Sequence, residues 1–270
     1  TYDVFYNLTG PAAATALIPA EQTQQAAGEL NLGQNGDFGY ATAQNGTFTL
    51  EHATSYVWFD TYSSDVTSNL LSITLSVSGG QTIAGEAAFA DGKLGDCKGS
   101  SSVTRSFGEE GVALPSQSND TDVFAAMVLY PADLSTATVS IVYKFADGSV
   151  YLQTKSGKTL TPGHTLRLST QIAKSDCKNS GAFFMTEAGV AEELPTEPIG
   201  YLKVVTLGES TLSAEELTSI AGNLANGAVI DLGEATFAAT EFPLDFARKT
   251  NLQEIALPRN IQTFASEAYS

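Results

Sequence analysis

The stretch from Phe48 to Tyr62 reads FTLEHATSYVWFDTY and decides the predicted fold. In its first half, the apolar residues Phe48 and Leu50 alternate with polar ones, a period of two that is typical of a strand with one face against a core. From Tyr56 onward apolar residues follow one another, so both faces of the strand are predicted to be covered. A strand of this kind lies inside a sheet and not at its edge. We therefore predict that this segment is a central strand.

Short strands separated by turn signals fill the first two thirds of the chain. Asn45-Gly46 is a strong hairpin turn, and it predicts that residues 40–43 pair with the central strand. Eight or more strands without an amphipathic helix predict a β-sandwich over residues 1–173. The Ala- and Gln-rich residues 11–29 are predicted to form an irregular connection, and residues 91–102 a loop. The other predicted strands cover 2–8, 70–78, 82–89, 103–107, 122–130, 137–145, 150–154 and 164–172.

The charge of the chain excludes some classes of partner. The 270 residues include 30 acids and 13 bases, for a net charge of −17. A chain this acidic repels phosphate backbones and anionic lipids, so we expect no nucleic-acid partner and no electrostatic membrane docking. The sequence has no apolar run of about 18 residues, so we also expect no membrane-spanning segment.

The character of the sequence changes after residue 173. Residues 174–200 mix charged residues with glycine and proline and are predicted to be a linker. Residues 201–270 begin with a strand signal, and a helix then starts at Ser213, which has Glu216 three residues later in the arrangement of a capping box. Gly227 is predicted to end this helix.

Two segments near the end of the chain resemble each other. They are VIDL at 229–232 and QEIAL at 253–257, and their Ile-Leu pairs are offset by 25 residues. One short strand in every 20–29 residues is the spacing of a leucine-rich repeat. Because two repeats bury their stacking faces poorly, the sequence predicts either further repeats or a cap formed by the first domain.

The segment LQEIALPRNIQTFASEAYS resembles the BspA-type leucine-rich repeat, whose pattern is L-x-x-I-x-L-P, then I, then a closing A-F. A tyrosine stands where the family usually has the closing phenylalanine. The matching residues are Leu252, Ile255, Leu257, Pro258, Ile261, Phe264 and Ala268-Tyr269.

The first domain resembles the fimbrillin-like (Mfa-like) surface proteins of Bacteroidetes. The similar stretches follow the order of the family across most of residues 1–173. The family has further strands upstream of YDVFY that are not in this sequence, which leaves assembly into a polymer open. The stretches are YDVFYNL, IPAEQTQ, FTLEHATSYVWFD, ITLSVSGGQTIAGEA and LTPGHTLRLSTQI.

The two resemblances imply a mainly β fold: a Greek-key, transthyretin-like β-sandwich of the fimbrillin type, followed by a small α/β leucine-rich-repeat segment. They imply a non-enzymatic, exported adhesin or fimbria-associated protein at the outer-membrane cell surface, lipid-anchored through an N-terminal segment that this sequence does not contain. The implied partners are other surface or fimbrial proteins, host matrix proteins or glycans. The alternative is a glycan-binding module of a surface polysaccharide-capture system.

The sequence is poor in catalytic chemistry. His52 and His164 are its two histidines, and their spacing fits no metal or catalytic motif, so a packed or capped structural role is predicted for His52. No Gly-x-Ser-x-Gly elbow and no phosphate-binding glycine loop is present. We therefore predict no catalytic residue, no metal ligand and no cofactor.

Two further sets of side chains have both a functional and a structural interpretation. Loop aspartates could bind Ca²⁺, but none forms the spaced ladder of a calcium loop, so solvated turn carboxylates are predicted. Aromatic side chains in strands could stack on sugar rings, but they more often belong to a core. The aspartates are Asp60, Asp65, Asp91, Asp96, Asp120 and Asp122, and the aromatic residues are Trp58, Tyr130, Tyr143 and Tyr151.

The two cysteines occupy matching contexts. Cys97 lies in LGDCKGS and Cys177 in KSDCKNS. In an exported protein they could form one disulfide that ties two loops together. The alternative is two unpaired loop thiols, and the sequence alone does not choose between them.

Overall fold

A computed structural model describes residues 2–6, 14–43, 45–77, 80–90, 93–119, 123–185, 198–206, 211–243 and 252–264. These residues are mainly β and form several sheets with one short α-helix, so the mainly β prediction is confirmed. The chain divides into two compact units. Unit 1 comprises Thr1–Asp147 and Tyr151–Cys177, and unit 2 comprises Gly148–Val150 and Lys178–Ser270.

Unit 1 contains strands β1 to β12, most of β13, β14 and two short 3-10 turns, Leu32–Asn35 and Lys174–Asp176. Its strands are hydrogen-bonded to one another in the orders β1-β4-β5, β2-β8-β9, β11-β6-β14 and β13-β12-β7-β10-β3. The strands are β1 (Tyr2–Tyr6), β2 (Ala14–Ile18), β3 (Glu21–Thr23), β4 (Gly39–Ala43), β5 (Glu51–His52), β6 (Ser55–Tyr62), β7 (Leu70–Val77), β8 (Ala84–Ala90), β9 (Lys93–Ser100), β10 (Ser102–Ser106), β11 (Ala125–Leu129), β12 (Thr138–Phe145), β13 (Ser149–Ser156) and β14 (Thr165–Gln171).

The predicted central strand is confirmed in its second half. β6 pairs antiparallel with β11 on one side and parallel with β14 on the other. Its first half is different, because Phe48 lies in a loop and is 54% exposed. Ala53 N donates to Phe38 O, whereas Tyr56 N donates to His164 O. The chain therefore changes its pairing partner between these residues, and one predicted strand becomes the two strands β5 and β6.

The core of unit 1 joins side chains from separate sheets. Phe59 of β6, Ile73 of β7, Met127 of β11 and Tyr143 of β12 are all fully buried in one apolar cluster. The rings of Phe59 and Tyr143 meet edge to face with centroids 6.5 Å apart, a favoured geometry for aromatic pairs. The apolar alternation of β7 and the continuous apolar run of β11 thus predict their burial correctly.

Two ranges without strand signals nevertheless form strands. Residues 11–29, predicted as an irregular connection, contain β2 and β3, and residues 91–102, predicted as a loop, contain β9. β2 and β9 pair with the two edges of β8. Alanine, glycine and glutamine give a sequence little hydrophobic alternation. These strands are therefore determined by main-chain pairing with their neighbours, which the sequence pattern does not reveal.

The interior of unit 1 includes a glutamine whose side-chain amide makes the hydrogen bonds that a neighbouring strand would otherwise make. Gln22 is fully buried. Its Nε2 donates to Val128 O at 2.7 Å, and its Oε1 accepts from Val128 N at 3.0 Å. The side chain of a β3 residue therefore completes the hydrogen bonding of β11 at the edge that does not face β6.

Unit 2 is built mainly from parallel strands. β15, β16, β17 and β19 form a parallel sheet in this order, and β18 pairs in parallel with β20. Its apolar core includes Leu202, Leu217, Ile230 and Phe237. The elements are β15 (Lys178–Met185), β16 (Ile199–Thr206), α1 (Ala214–Ala221), β17 (Leu224–Glu234), β18 (Glu241–Phe242), β19 (Glu254–Ala256) and β20 (Thr263–Phe264).

The predicted capping box of the helix is confirmed, but its predicted end is wrong. Glu216 N donates to Ser213 Oγ, and Ser213 N donates to the Glu216 carboxylate at 2.8 Å. The helix ends at Ala221 with Gly222 as its cap, and not at Gly227. Leu224, which lies before that glycine, belongs instead to β17 and pairs with Ile199.

The predicted linker 174–200 is also partly structured. Residues 178–185 of this range form β15, which pairs in parallel with β16. The segment KNSGAFFM combines small, polar and aromatic residues without alternation, so its sequence shows no strand period.

Candidate functional site

A connected group of polar side chains in unit 1 surrounds Asp37, which is 3% exposed. Asp37 Oδ1 accepts hydrogen bonds from Tyr56 OH at 2.6 Å, Thr54 Oγ1 at 2.7 Å and His52 Nδ1 at 3.1 Å. We call Asp37, His52, Thr54 and Tyr56 the Asp37 cluster. One buried carboxylate therefore holds three side chains from β5, β6 and the residues between them.

The turn before Asp37 positions its carboxylate. Asn35 Oδ1 accepts from Thr23 N, and Asn35 Nδ2 donates to Thr23 O and Asn31 O. Gly36 follows with φ +92°, and a Cβ at this position would lie 2.7 Å from the Pro19 ring. Glycine is thus required here both by the backbone conformation and by the close approach of the chain.

His52 lies at the rim of this cluster and is not a packed core residue. Its side chain is 41% exposed, which corrects the packed interpretation, while its bond to Asp37 agrees with the capped one. It pairs with Gly39 of β4, and Tyr6 of β1 pairs with the same glycine. The imidazole contacts the rings of Tyr6 and Tyr56 edge to face, with centroids 6.3 and 5.9 Å away.

The Asp37 cluster resembles part of a catalytic arrangement, because a carboxylate bonded to a histidine Nδ1 is how many general bases are oriented. In the part of the chain that the structure describes, however, the imidazole of His52 hydrogen-bonds to Asp37. No hydroxyl or thiol there completes a nucleophile–base pair with its imidazole. Burial raises the pKa of the Tyr56 hydroxyl, and its bond to Asp37 acts in the same direction. The phenol therefore stays protonated and donates, which makes the cluster a structural clamp.

His164 is exposed in the turn before β14. Its main-chain O accepts from Tyr56 N, and its N donates to Thr161 O. Across the described ranges, no contact joins its imidazole to that of His52. The main-chain O of His52 lies near Gly163 in the turn before β14, but the two imidazoles do not form a shared site in the described ranges.

A second buried carboxylate, Asp60, holds β14 and a loop to β6. Its Oδ2 accepts from Ser118 Oγ at 2.7 Å and Ser169 Oγ at 3.0 Å, and lies 3.6 Å from Arg167 Nη2. Burial raises the pKa of Asp60, but the hydrogen bonds and the charge of Arg167 outweigh it and hold this pKa below its usual range. Asp60 is thus a structural carboxylate and not a solvated turn residue.

Two of the other aspartates, Asp65 and Asp96, lie among the described residues. Asp65 accepts from Ser63 Oγ and Lys174 N, and Asp96 lies exposed on β9. Asp91, Asp120 and Asp122 fall outside the described residues. Within the described ranges, no three His, Cys, Asp or Glu side chains are grouped so as to hold a metal ion.

The candidate sugar-stacking aromatics pack against the core of unit 1. Tyr143 is fully buried and donates to Thr170 Oγ1. Trp58, Tyr130 and Tyr151 are half-buried against the same apolar cluster. Tyr130 OH donates to Gly95 O at 2.5 Å. These four side chains do not form an exposed stacking row.

Both cysteines are half-buried free thiols in the structure. Cys97 lies on β9 opposite Ala87, whereas Cys177 follows the second 3-10 turn. Burial raises the pKa of each thiol, so neither is an activated nucleophile at neutral pH. Their pairing in an oxidising compartment stays a prediction.

Two features of unit 1 could not be recognised in the sequence. Asp37 follows a turn signal, Asn35-Gly36, but nothing in that signal links it to His52. The burial of Gln22 also has no signal in the sequence, because glutamine is usually exposed.

No described helix has the length and apolarity to cross a membrane.

Comparison with known proteins gives distant structural similarity. No protein-family model and no curated protein matches the chain. A Bacteroides ovatus protein provisionally described as a cell adhesion protein has a TM-score of 0.43 and 16% identity, and the match covers 63% of this chain and 61% of that one.

Two further structures carry the same provisional description. The Bacteroides uniformis protein has a TM-score of 0.40 and 10% identity, with 65% and 68% of the two chains covered. The Bacteroides fragilis protein has a TM-score of 0.32 and 14% identity, and the match covers 52% of this chain and 49% of that one. The chain spans about three fifths of the length of the first of these structures. It is thus distantly similar in structure to Bacteroides proteins provisionally described as cell adhesion proteins.

Proposed function

We propose that this chain is a non-enzymatic, exported cell-surface protein that acts as an adhesin or fimbria-associated component through protein contacts. The observation that carries the proposal is the distribution of apolar residues. The aromatics suited to stacking on sugars pack against the core of unit 1, whereas Phe264 of unit 2 is exposed and its apolar neighbours are only partly buried. A group of incompletely covered apolar side chains is typical of a protein-contact surface.

For unit 2 we propose a short BspA-type leucine-rich-repeat segment, which the strand register supports. Val229 of β17 pairs with Glu254 of β19, 25 positions later, and Glu241 of β18 pairs with Thr263 of β20, 22 positions later. Asn260 fastens these two repeats, because its amide accepts from Phe237 N at 2.9 Å and donates to Phe237 O at 2.7 Å. For unit 1 we propose a fimbrillin-like β-sandwich, supported by sheets that share one core.

Burial falls sharply from one repeat to the next. Ile230, Leu232 and Phe242 of the earlier repeat are at most 3% exposed. The later repeat has Phe264 46% exposed and four partly buried apolar residues, Leu252, Ile255, Leu257 and Ile261. We call these five residues the last-repeat face. We propose it as the principal contact surface, with surface, fimbrial or host matrix proteins as partners.

We further propose that the protein is held at the outer-membrane surface by a lipid-anchored segment. Cys97 and Cys177, free thiols in the structure, have two alternatives after export: one disulfide or two unpaired thiols. Mass spectrometry of the protein secreted into an oxidising compartment tests the disulfide. A peptide linked through both cysteines supports it, and two separately alkylated peptides contradict it.

The function is tested by binding the chain, fluorescently labelled, to arrays of host matrix proteins and of glycans. We expect saturable binding to one or more proteins and none to the glycans. Saturable carbohydrate binding without protein binding contradicts the proposal and supports a glycan-capture module.

A further inference from the structure

Arg105 is the largest fully buried side chain in the part of the chain that the structure describes. It lies on β10, where it pairs with Gln22 of β3 and Ile73 of β7. Its relative exposure is 0%. Arginine is rarely buried completely without a charged partner, because removing its charge from water is costly.

Three nitrogens of the guanidinium have different surroundings. Nε donates to Gln24 Oε1 at 3.1 Å, and Nη2 donates to Leu30 O. Nη1 is buried and has no hydrogen-bond partner among the described residues. The amide of Gln24 is itself fixed, because its Nε2 donates to Ala26 O and Phe124 O, each at 2.8 Å. Arg105 is therefore held firmly in place while both hydrogens of Nη1 remain unused.

The charge of Arg105 is not balanced by a carboxylate in the described ranges, since both of its hydrogen bonds go to neutral oxygens. Burial lowers the pKa of Arg105 to about 10. The side chain thus remains a cation at neutral pH in an apolar interior. A water molecule would satisfy the hydrogen bonds of Nη1, but it would leave the charge uncompensated.

We propose that Arg105 Nη1 holds a small monovalent anion of the halide class, with chloride as the natural ligand. Nε and Nη2 already donate to neutral oxygens, so the side-on edge through which arginine binds carboxylate or phosphate in a two-pronged contact is occupied. One nitrogen with two donor hydrogens suits a single compact acceptor. Such an ion would neutralise the buried charge beneath the loop 24–31, which supplies the Leu30 carbonyl.

Crystals grown in sodium bromide test the site directly, because bromide replaces chloride and gives an anomalous signal. We expect an anomalous peak in contact with Arg105 Nη1 in the wild-type protein. Density at this position without an anomalous signal would mean water and would overturn the proposal. Peaks only at exposed lysines would overturn it as well.

Thermal unfolding provides a test in solution at constant ionic strength, with sodium chloride replacing sodium gluconate. We expect the Tm of the wild type and of the exposed-site control Lys155→Gln to rise with chloride in a saturable way, as for any ligand of the native state. Arg105→Lys keeps a charge but lacks the planar fork, and we expect it to lose this response.

Two outcomes of the thermal experiment contradict the site. One is a wild-type Tm that does not depend on chloride. The other is an equal rise in all three proteins, which would indicate a general salt effect. If Arg105→Lys does not fold, the bromide experiment on the wild type still decides the question.

Discussion

Asp60 illustrates how one carboxylate ties separate segments of unit 1 together. Its pKa lies below the ordinary value in the folded protein, whereas the pKa of an unfolded aspartate is about 3.9. As the pH falls, the unfolded state therefore takes up the proton first. The stability that Asp60 contributes is present above about pH 4 and is lost as the pH falls through its folded pKa.

We predict that Asp60→Asn is less stable than the wild type at pH 7 and that this difference shrinks as the pH falls below about 4. Urea unfolding of both proteins at pH 7, 5, 4 and 3 measures it. Glu109→Gln, at an exposed position, is the control and should follow the wild type throughout. A difference between Asp60→Asn and wild type that is constant with pH would contradict the account.

Gln22 gives a second prediction for a single residue. Replacing it with leucine leaves Val128 N–H and C=O without partners in the interior, and each unsatisfied buried group costs about 1–3 kcal/mol. We expect Gln22→Leu to lower the free energy of unfolding by about 2–4 kcal/mol in denaturant titrations. Gln25→Leu, at an exposed position three residues along the chain, should change it by less than about 0.5 kcal/mol. Equal effects of the two substitutions would show that the amide is not needed.

At the scale of the element, β6 is the strand on which unit 1 depends. It pairs on both sides, and Trp58 packs against the core from it. We predict that Trp58→Ala lowers the free energy of unfolding by about 3–5 kcal/mol, as for other large-to-small core changes. Phe48→Ala, in the exposed loop of the same sequence stretch, should cost less than about 0.5 kcal/mol. Near-wild-type stability of Trp58→Ala would refute the central role of β6.

The helix α1 depends on its cap. Ser213→Ala removes the acceptor for Glu216 N and should destabilise unit 2 by about 0.5–2 kcal/mol. Ser219→Ala, the same change at an exposed position within the helix, should be neutral or slightly stabilising because alanine favours helices. Circular dichroism during thermal unfolding compares them, and an equal loss in both would contradict the capping argument.

The elements that the sequence predicted correctly share one property: their apolar pattern matches their burial. β6, β7 and β11 are of this kind, and the capping box of α1 is a comparably direct local signal. β2, β9 and β15 were missed because their residues are small, polar or without alternation, so only their neighbours in the sheet determine them. The Asp37 cluster was missed for a related reason, since a buried carboxylate and a rim histidine 15 residues apart leave no local pattern.

At the scale of the whole molecule, the two compact units have separate apolar cores. We expect two unfolding transitions that respond to different substitutions. Trp58→Ala should lower the midpoint temperature of one transition, and Ser213→Ala should lower that of the other. Differential scanning calorimetry of both variants measures this, and a joint shift of a single transition by either substitution would contradict it.

The most direct test of the proposed protein contact is the equilibrium affinity for the protein ligand identified on the array. Phe264→Ser changes the last-repeat face and is the test variant. Leu17→Ser is the control, because Leu17 on β2 of unit 1 is a comparably exposed apolar residue with 57% exposure. We predict that Phe264→Ser weakens binding about tenfold or more, as expected for an interface anchor, while Leu17→Ser binds like the wild type. Wild-type affinity of Phe264→Ser, in a protein shown by circular dichroism to be folded, would contradict the account.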